Sequence, residues 1–193
     1  MELFLVSDVF GRTPALETIK KALSPAVSGI KIIDPYGGVD HKFQTEALAY
    51  AFFMDHVGLK QYQSILTDSI KPWDFDIVLV GFSIGASAIW AMSPLLSPDH
   101  VQKAFCFYGS QIRHLADTQP AINIELFFPR QEPCFNVDDL INRLQKKNRV
   151  TCEKANGLHG FMNELSPGFD PACYADFIHR LKTALSRLKT QAP

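Results

Sequence analysis

Val78-Leu-Val-Gly-Phe-Ser-Ile-Gly-Ala-Ser-Ala88 (VLVGFSIGASA) passes in one step from an apolar strand into small residues and a helix. Within it, Gly81-Phe-Ser-Ile-Gly85 fits the spacing G-x-S-x-G, a single hydroxyl between two glycines. A plain turn needs a glycine but no hydroxyl at that corner. A sharp strand-to-helix turn strains its central residue, and side chains at 81 and 85 would collide with the neighbouring strand and helix. The hydroxyl of Ser83 is thereby pushed outward. The amide of Ile84 faces the same space at a helix N-terminus, where developing negative charge is favoured. The stretch predicts Ser83 as a nucleophile and the Ile84 N–H as an oxyanion donor.

Working outward, short apolar runs at 3–6, 30–33, 77–80, 104–108, 122–128 and 150–153 alternate with helical patterns. The runs are apolar on consecutive positions, as strands covered on both faces should be. Helices are predicted over 14–23, with Thr13 as N-cap and Pro14 at the first helical position, and over 43–56, 59–70, 84–92 and 137–147. A last helix carries Tyr174, Phe177, Ile178, Leu181, Leu185 and Leu188 on one face. Strand alternating with helix implies a three-layer α/β/α architecture around a mainly parallel sheet of about six strands. No repeat or linker divides the 193 residues, so residues 1–193 are expected to form a single domain.

An apolar share of 47% suits a globular core, and a net charge of −1 gives no footprint for nucleic acid or an anionic membrane. No apolar run approaches the roughly 18 residues of a membrane span. The N-terminus reaches Asp8 too early for a signal peptide. Cys106, Cys134, Cys152 and Cys173 have no CxxC or metal-ligand spacing, so buried reduced thiols, a cytoplasmic location and no metal are expected.

A serine needs a base, and reactive groups of such sheets leave the carboxyl ends of strands. His56 and His179 fall in helical patterns, and His100 and His114 precede the next strand. His159 lies in Asn156-Gly-Leu-His-Gly-Phe161, directly after the last strand, and fits the chain order nucleophile, acid, histidine. The acid should leave the strand before it. Glu132 is the carboxylate of the 129–134 loop, and Asp138 and Asp139 at the start of the next helix are the alternatives. A second oxyanion amide is expected in the loop after the first strand, from Val9 or Phe10, with Asp8 turned toward the nucleophile or serving as a turn acid.

At these residues the sequence resembles the dienelactone hydrolase family of the α/β-hydrolase superfamily. Asp8-Val-Phe-Gly11, the Gly81–Gly85 elbow, Gln131-Glu-Pro-Cys-Phe135 and Leu158-His-Gly-Phe161 match in order, the last being the most specific. The resemblance implies that Val9 supplies the oxyanion amide and Glu132 the acid. Ser83 stands where dienelactone hydrolase has cysteine, Asp8 where glutamate is usual, and Glu132 where aspartate is usual. The arginine and tyrosine that hold the dienelactone carboxylate have no match, so that substrate does not carry over.

The chain starts at the strand bearing the oxyanion loop, and residues 110–120 leave no room for a helical lid. A minimal α/β-hydrolase fold without a lid domain follows, with an open site bordered by Asp8, Phe10, Tyr36, His41 and Tyr108. The implied activity is cofactor-free hydrolysis of a small ester, lactone or thioester substrate, rising through roughly pH 6 to 8 as His159 becomes neutral. A catalytically weak scaffold that binds a partner, and a flavodoxin-like phosphate binder, are the alternatives.

Overall fold

The computed structural model describes residues 1–71 and 76–191. Its strands are β1 (Glu2–Val6), β2 (Gly29–Ile33), β3 (Ile77–Phe82), β4 (Val101–Phe107), β5 (Asn123–Phe128) and β6 (Val150–Lys154). They form one sheet in the order β2-β1-β3-β4-β5-β6, and every neighbouring pair is parallel. The helices are α1 (Pro14–Leu23), α2 (Glu46–His56), α3 (Gly58–Ile70), α4 (Ile84–Met92), α5 (Val137–Leu144) and α6 (Pro171–Gln191). The chain runs from β1 outward to β2 and then returns to β3 on the other flank of β1. That reversal opens a crevice beyond the carboxyl ends of β1 and β3, the place where such sheets bind ligands.

Alternation along each strand divides the core between the two sheet faces. Leu3, Leu5, Val78, Val80, Phe105, Phe107 and Phe127 pack under α1 and α6, against Leu16, Ile19, Phe177, Leu181 and Leu185. Phe4, Val6, Ile77, Leu79, Ala104 and Cys106 face the opposite way, against Phe53, Tyr62, Leu66, Ile89, Trp90, Leu140 and Leu144 of α2–α5. Burial on both faces is why these strands read as unbroken apolar runs, each large side chain contributing about 1.5–3 kcal/mol by leaving water.

Several element ends differ from the sequence expectation, each for a local reason. The second helix starts at Glu46 rather than 43 because Thr45 caps it, its Oγ1 accepting the Leu48 amide at 3.3 Å. Phe43 is thereby freed to pack with Tyr36, His41 and Phe52. The helix α5 stops at Leu144, and its start is held by Asn136 Oδ1, which accepts the amides of Asp138 and Asp139. Strand β4 begins at Val101 rather than 104, pairing with Ile77, and ends before Tyr108, whose φ is 41°. Between β4 and β5 the chain makes only a short helical turn, Ser110–Leu115, and carries no lid. Among the described residues, no helix is long and apolar enough to cross a membrane.

Candidate active site

Ser83 sits at the turn between β3 and α4 with φ 49° and ψ −111°, a region that L-residues rarely occupy and that packing must enforce. The glycines on either side explain how. A Cβ on Gly81 would lie 2.5 Å from Ile89 Cδ1, and one on Gly85 would meet the carbonyl oxygens of Val6 and Ser7. The helix α4 can therefore press against β1 and β3 only with both side chains missing. The Ser83 amide donates to the Phe107 carbonyl at 2.9 Å, tying the turn to β4.

From that corner, Ser83 Oγ lies 3.0 Å from Nε2 of His159, and His159 Nδ1 lies 2.7 Å from Oε1 of Glu132. His159 stands on the 155–170 loop after β6. Gly160 turns that loop with φ 81°, where a Cβ would run into Ser166 Oγ, and the ring of Tyr108 packs against the imidazole at 5.1 Å. The Glu132 side chain is only 7% exposed, and its added methylene reaches the ring. The other two acids lie elsewhere: Asp138 pairs with Lys154 Nζ at 2.8 Å, and Asp139 is exposed in the first turn of α5.

Burial by itself would lower the imidazole pKa. The hydrogen bond and charge of Glu132, followed by the charges of Glu46 and Asp8, outweigh it and hold His159 above the ordinary histidine value. The ring thus stands between a serine hydroxyl at Nε2 and a carboxylate at Nδ1 whose charge favours the imidazolium.

Among the described residues, the amides of Ile84 and Val9 have no backbone acceptor. Ile84 opens α4, so its N–H has no intrahelical acceptor. In the loop after β1, the Phe10 amide is taken by Asp8 Oδ1 at 3.0 Å and the Gly11 amide by the Asp8 carbonyl. Among the described residues the Val9 amide has no such partner, and Tyr36 Oη donates to the Val9 carbonyl at 2.8 Å, fixing the peptide's direction.

The residues expected to border the substrate also make contacts of their own within the fold. Asp8 is buried, its Oδ2 accepting from Asn163 Nδ2 at 2.6 Å, and burial lifts its pKa to about 6. Phe10 is 3% exposed and Tyr108 1%, both filling space beneath the loops. The Tyr36 hydroxyl is committed to Val9, and His41 packs between Phe43 and Phe52. The open cleft beside His159, about 560 Å³, is lined by Glu46, Gln131, Glu132, Pro133, Leu158, His159, Ser166, Pro167 and Gly168, and adjoins Ser83 only through His159. A separate hollow of about 310 Å³ under α6, floored by Phe105 and Phe127, contains none of Ser83, His159 and Glu132. Glu46 and Ser166 carried no sequence signal beyond an acid in the first turn of a helix, because only the packing of α2 and the 155–170 loop brings them to His159.

No protein-family model matches this chain. It is 31% identical over 195 residues to the uncharacterized protein YczH of Bacillus subtilis (strain 168), covering 97% of this chain and 94% of that one. The chain belongs to the YczH family. Solved structures show which fold this chain has. The dienelactone hydrolase-like promiscuous phosphotriesterase P91 from metagenomic libraries superposes with a TM-score of 0.67 at 14% identity, over 97% of this chain and 86% of that one. The monoacylglycerol lipase of Paleococcus ferrophilus gives 0.66 at 12% identity, over 96% and 94%. This chain therefore has the α/β-hydrolase fold seen in the dienelactone hydrolase-like protein.

Proposed function

We propose that the protein is a serine hydrolase that cleaves a small ester, lactone or thioester through an acyl-enzyme on Ser83. The observation that carries this reading is the unbroken hydrogen-bonded path from Ser83 Oγ through both nitrogens of His159 to Glu132. Serine hydroxyls become nucleophiles when a neutral imidazole takes their proton as the bond to carbon forms. In the first half-reaction Ser83 Oγ attacks the carbonyl and His159 Nε2 accepts its proton. The tetrahedral oxyanion lies against the amides of Ile84 and Val9. His159 then returns the proton to the leaving alcohol or thiol. In the second half-reaction, water gives its proton to His159 while attacking the acyl carbon, and Ser83 leaves as the free hydroxyl. Glu132 stays ionised throughout and holds the imidazolium. The lipase and phosphotriesterase chemistry named for the structural neighbours supports an ester as the bond cleaved. The free thiols of all four cysteines fit a reducing, cytoplasmic setting.

The test is active-site labelling with a fluorophosphonate, followed by a series of p-nitrophenyl esters of increasing chain length. The adduct is expected on Ser83, absent in Ser83→Ala and weakened in His159→Ala. Turnover is expected to fall on the order of 10,000-fold in Ser83→Ala. A wild-type protein that neither labels nor hydrolyses any ester overturns the proposal.

A further inference from the structure

Beside the serine-facing nitrogen of His159 stands a second carboxylate that the mechanism above does not use. Glu46 Oε1, at the start of α2, lies 3.6 Å from His159 Nε2. Its other oxygen accepts from Ser166 Oγ at 3.3 Å, so the group is held over the imidazole rather than left to swing into water. Glu132 approaches the ring from the Nδ1 side, where it is nearly closed off from solvent. Glu46 stands on the Nε2 side, the side that faces Ser83 Oγ, and is one-third exposed there.

The rest of the cleft does nothing to balance that charge. Its lining includes two carboxylates, Glu46 and Glu132, and otherwise uncharged side chains with His159. Among the described residues no lysine or arginine lines it. A neighbouring hollow of about 240 Å³, over Phe10 and Leu165, does hold Lys42, but together with Asp40. Pro133, Leu158 and Pro167 make the walls apolar. An anionic group placed next to the scissile bond would lose water, gain no cation and lie against a fixed carboxylate. Like-charge juxtaposition in such a half-desolvated cleft acts as a device against the wrong ligand.

We propose that Glu46 determines specificity, restricting the cleft to esters whose acyl group is uncharged or carries an ammonium and rejecting those that carry a carboxylate. This rests on the hydrolase reading given above. Partial exposure screens the effect, so the expected discrimination is about 10-fold per charge. The same carboxylate favours the imidazolium, which gives a second readout that simple loss of packing would not move.

Three p-nitrophenyl esters of matched length test it, ending in a methyl, a carboxylate or a trimethylammonium group. Expected for the wild type is a kcat/KM lowest for the carboxylate ester. Glu46→Gln should raise the carboxylate-to-methyl ratio about 10-fold, lower the trimethylammonium-to-methyl ratio and shift the pH midpoint of the methyl ester downward. Glu46→Ala should do the same. Should neither variant fold, the wild-type carboxylate-to-methyl ratio must rise between ~0.05 and ~0.5 M ionic strength. Turnover of the methyl ester with both ratios unmoved by substitution or salt overturns this inference and leaves the hydrolase reading standing. A wild type inert to all three esters and to the fluorophosphonate overturns both.

Discussion

The imidazole of His159 has carboxylates on two sides, and its titration decides when the proposed enzyme works. In the proposed mechanism the neutral ring is the base, and the protonated ring is inactive. Its pKa is held above the ordinary 6.5 by the hydrogen bond and charge of Glu132, with Glu46 and Asp8 adding to them against the opposing effect of burial. Raising the pKa moves the onset of activity to higher pH, so kcat/KM on a neutral ester is expected to rise with pH about a midpoint above 6.5. Glu132→Gln removes the hydrogen-bonded charge and leaves an amide that cannot accept and stabilise in the same way. It should cut kcat/KM on the order of 1,000-fold or more and move the remaining limb to lower pH. Wild-type profiles centred at or below 6.5 would remove the electrostatic account of this site. At this scale the triad candidates were legible because each follows a strand and sits in its own short motif. Glu46 and Ser166 were not, since nothing in their local sequence encodes where a packed helix points its first turn.

The loop after β1 shows what an element adds to its residues. The proposed oxyanion role of the Val9 amide needs the loop's peptide planes to be held, and Tyr36 holds one of them by donating to the Val9 carbonyl. Tyr36 is itself fixed edge-on to His41, Phe43 and Phe52, an aromatic group that exists because Thr45 delays the start of α2. Tyr36→Phe keeps the ring and deletes the tether. The expected result is a stability loss of about 1 kcal/mol and a kcat about 10-fold lower with KM changed less than ~2-fold, because an oxyanion donor acts mainly in the transition state. An unchanged kcat would mean that the loop holds its own shape. The elements themselves were readable from sequence, every strand and helix existing where the apolar periodicity put it, because a parallel sheet covered on both faces writes its burial into consecutive residues. The ends were less readable. Thr45, Asn136 and the Asp170 carboxylate that accepts the amides of Ala172 and Cys173 start helices through hydrogen bonds that periodicity does not register.

Across the whole molecule, one buried contact joins the first loop to the last. Asp8 Oδ2 accepts from Asn163 Nδ2 at 2.6 Å, linking residues 155 apart in sequence and holding the oxyanion loop against the loop of His159. Asp8 is 9% exposed as a residue, and burial raises its pKa from 3.8 to about 6, the hydrogen bonds from Asn163 and Phe10 offsetting only part of that rise. A group whose folded pKa lies above its unfolded value contributes most below the unfolded value, near pH 4, and that contribution is lost as pH rises toward 6. The shift of roughly two units corresponds to about 3 kcal/mol. Asp8→Asn cannot titrate. Its new amide faces the Asn163 amide, which cannot turn without giving up the bond from Leu165 N to Asn163 Oδ1 at 2.9 Å, so the variant carries a fixed penalty at every pH. Urea denaturation of both proteins between pH 4 and 7 separates the two contributions, the coupling of Asp8 to His159 being a smaller contribution to the shift of either group. The deficit of the variant relative to wild type should be largest at pH 4 and shrink by about 2–3 kcal/mol by pH 7. Parallel stability curves across that range would mean that Asp8 is not a burdened charge, and that the tie between the two loops is held by packing alone.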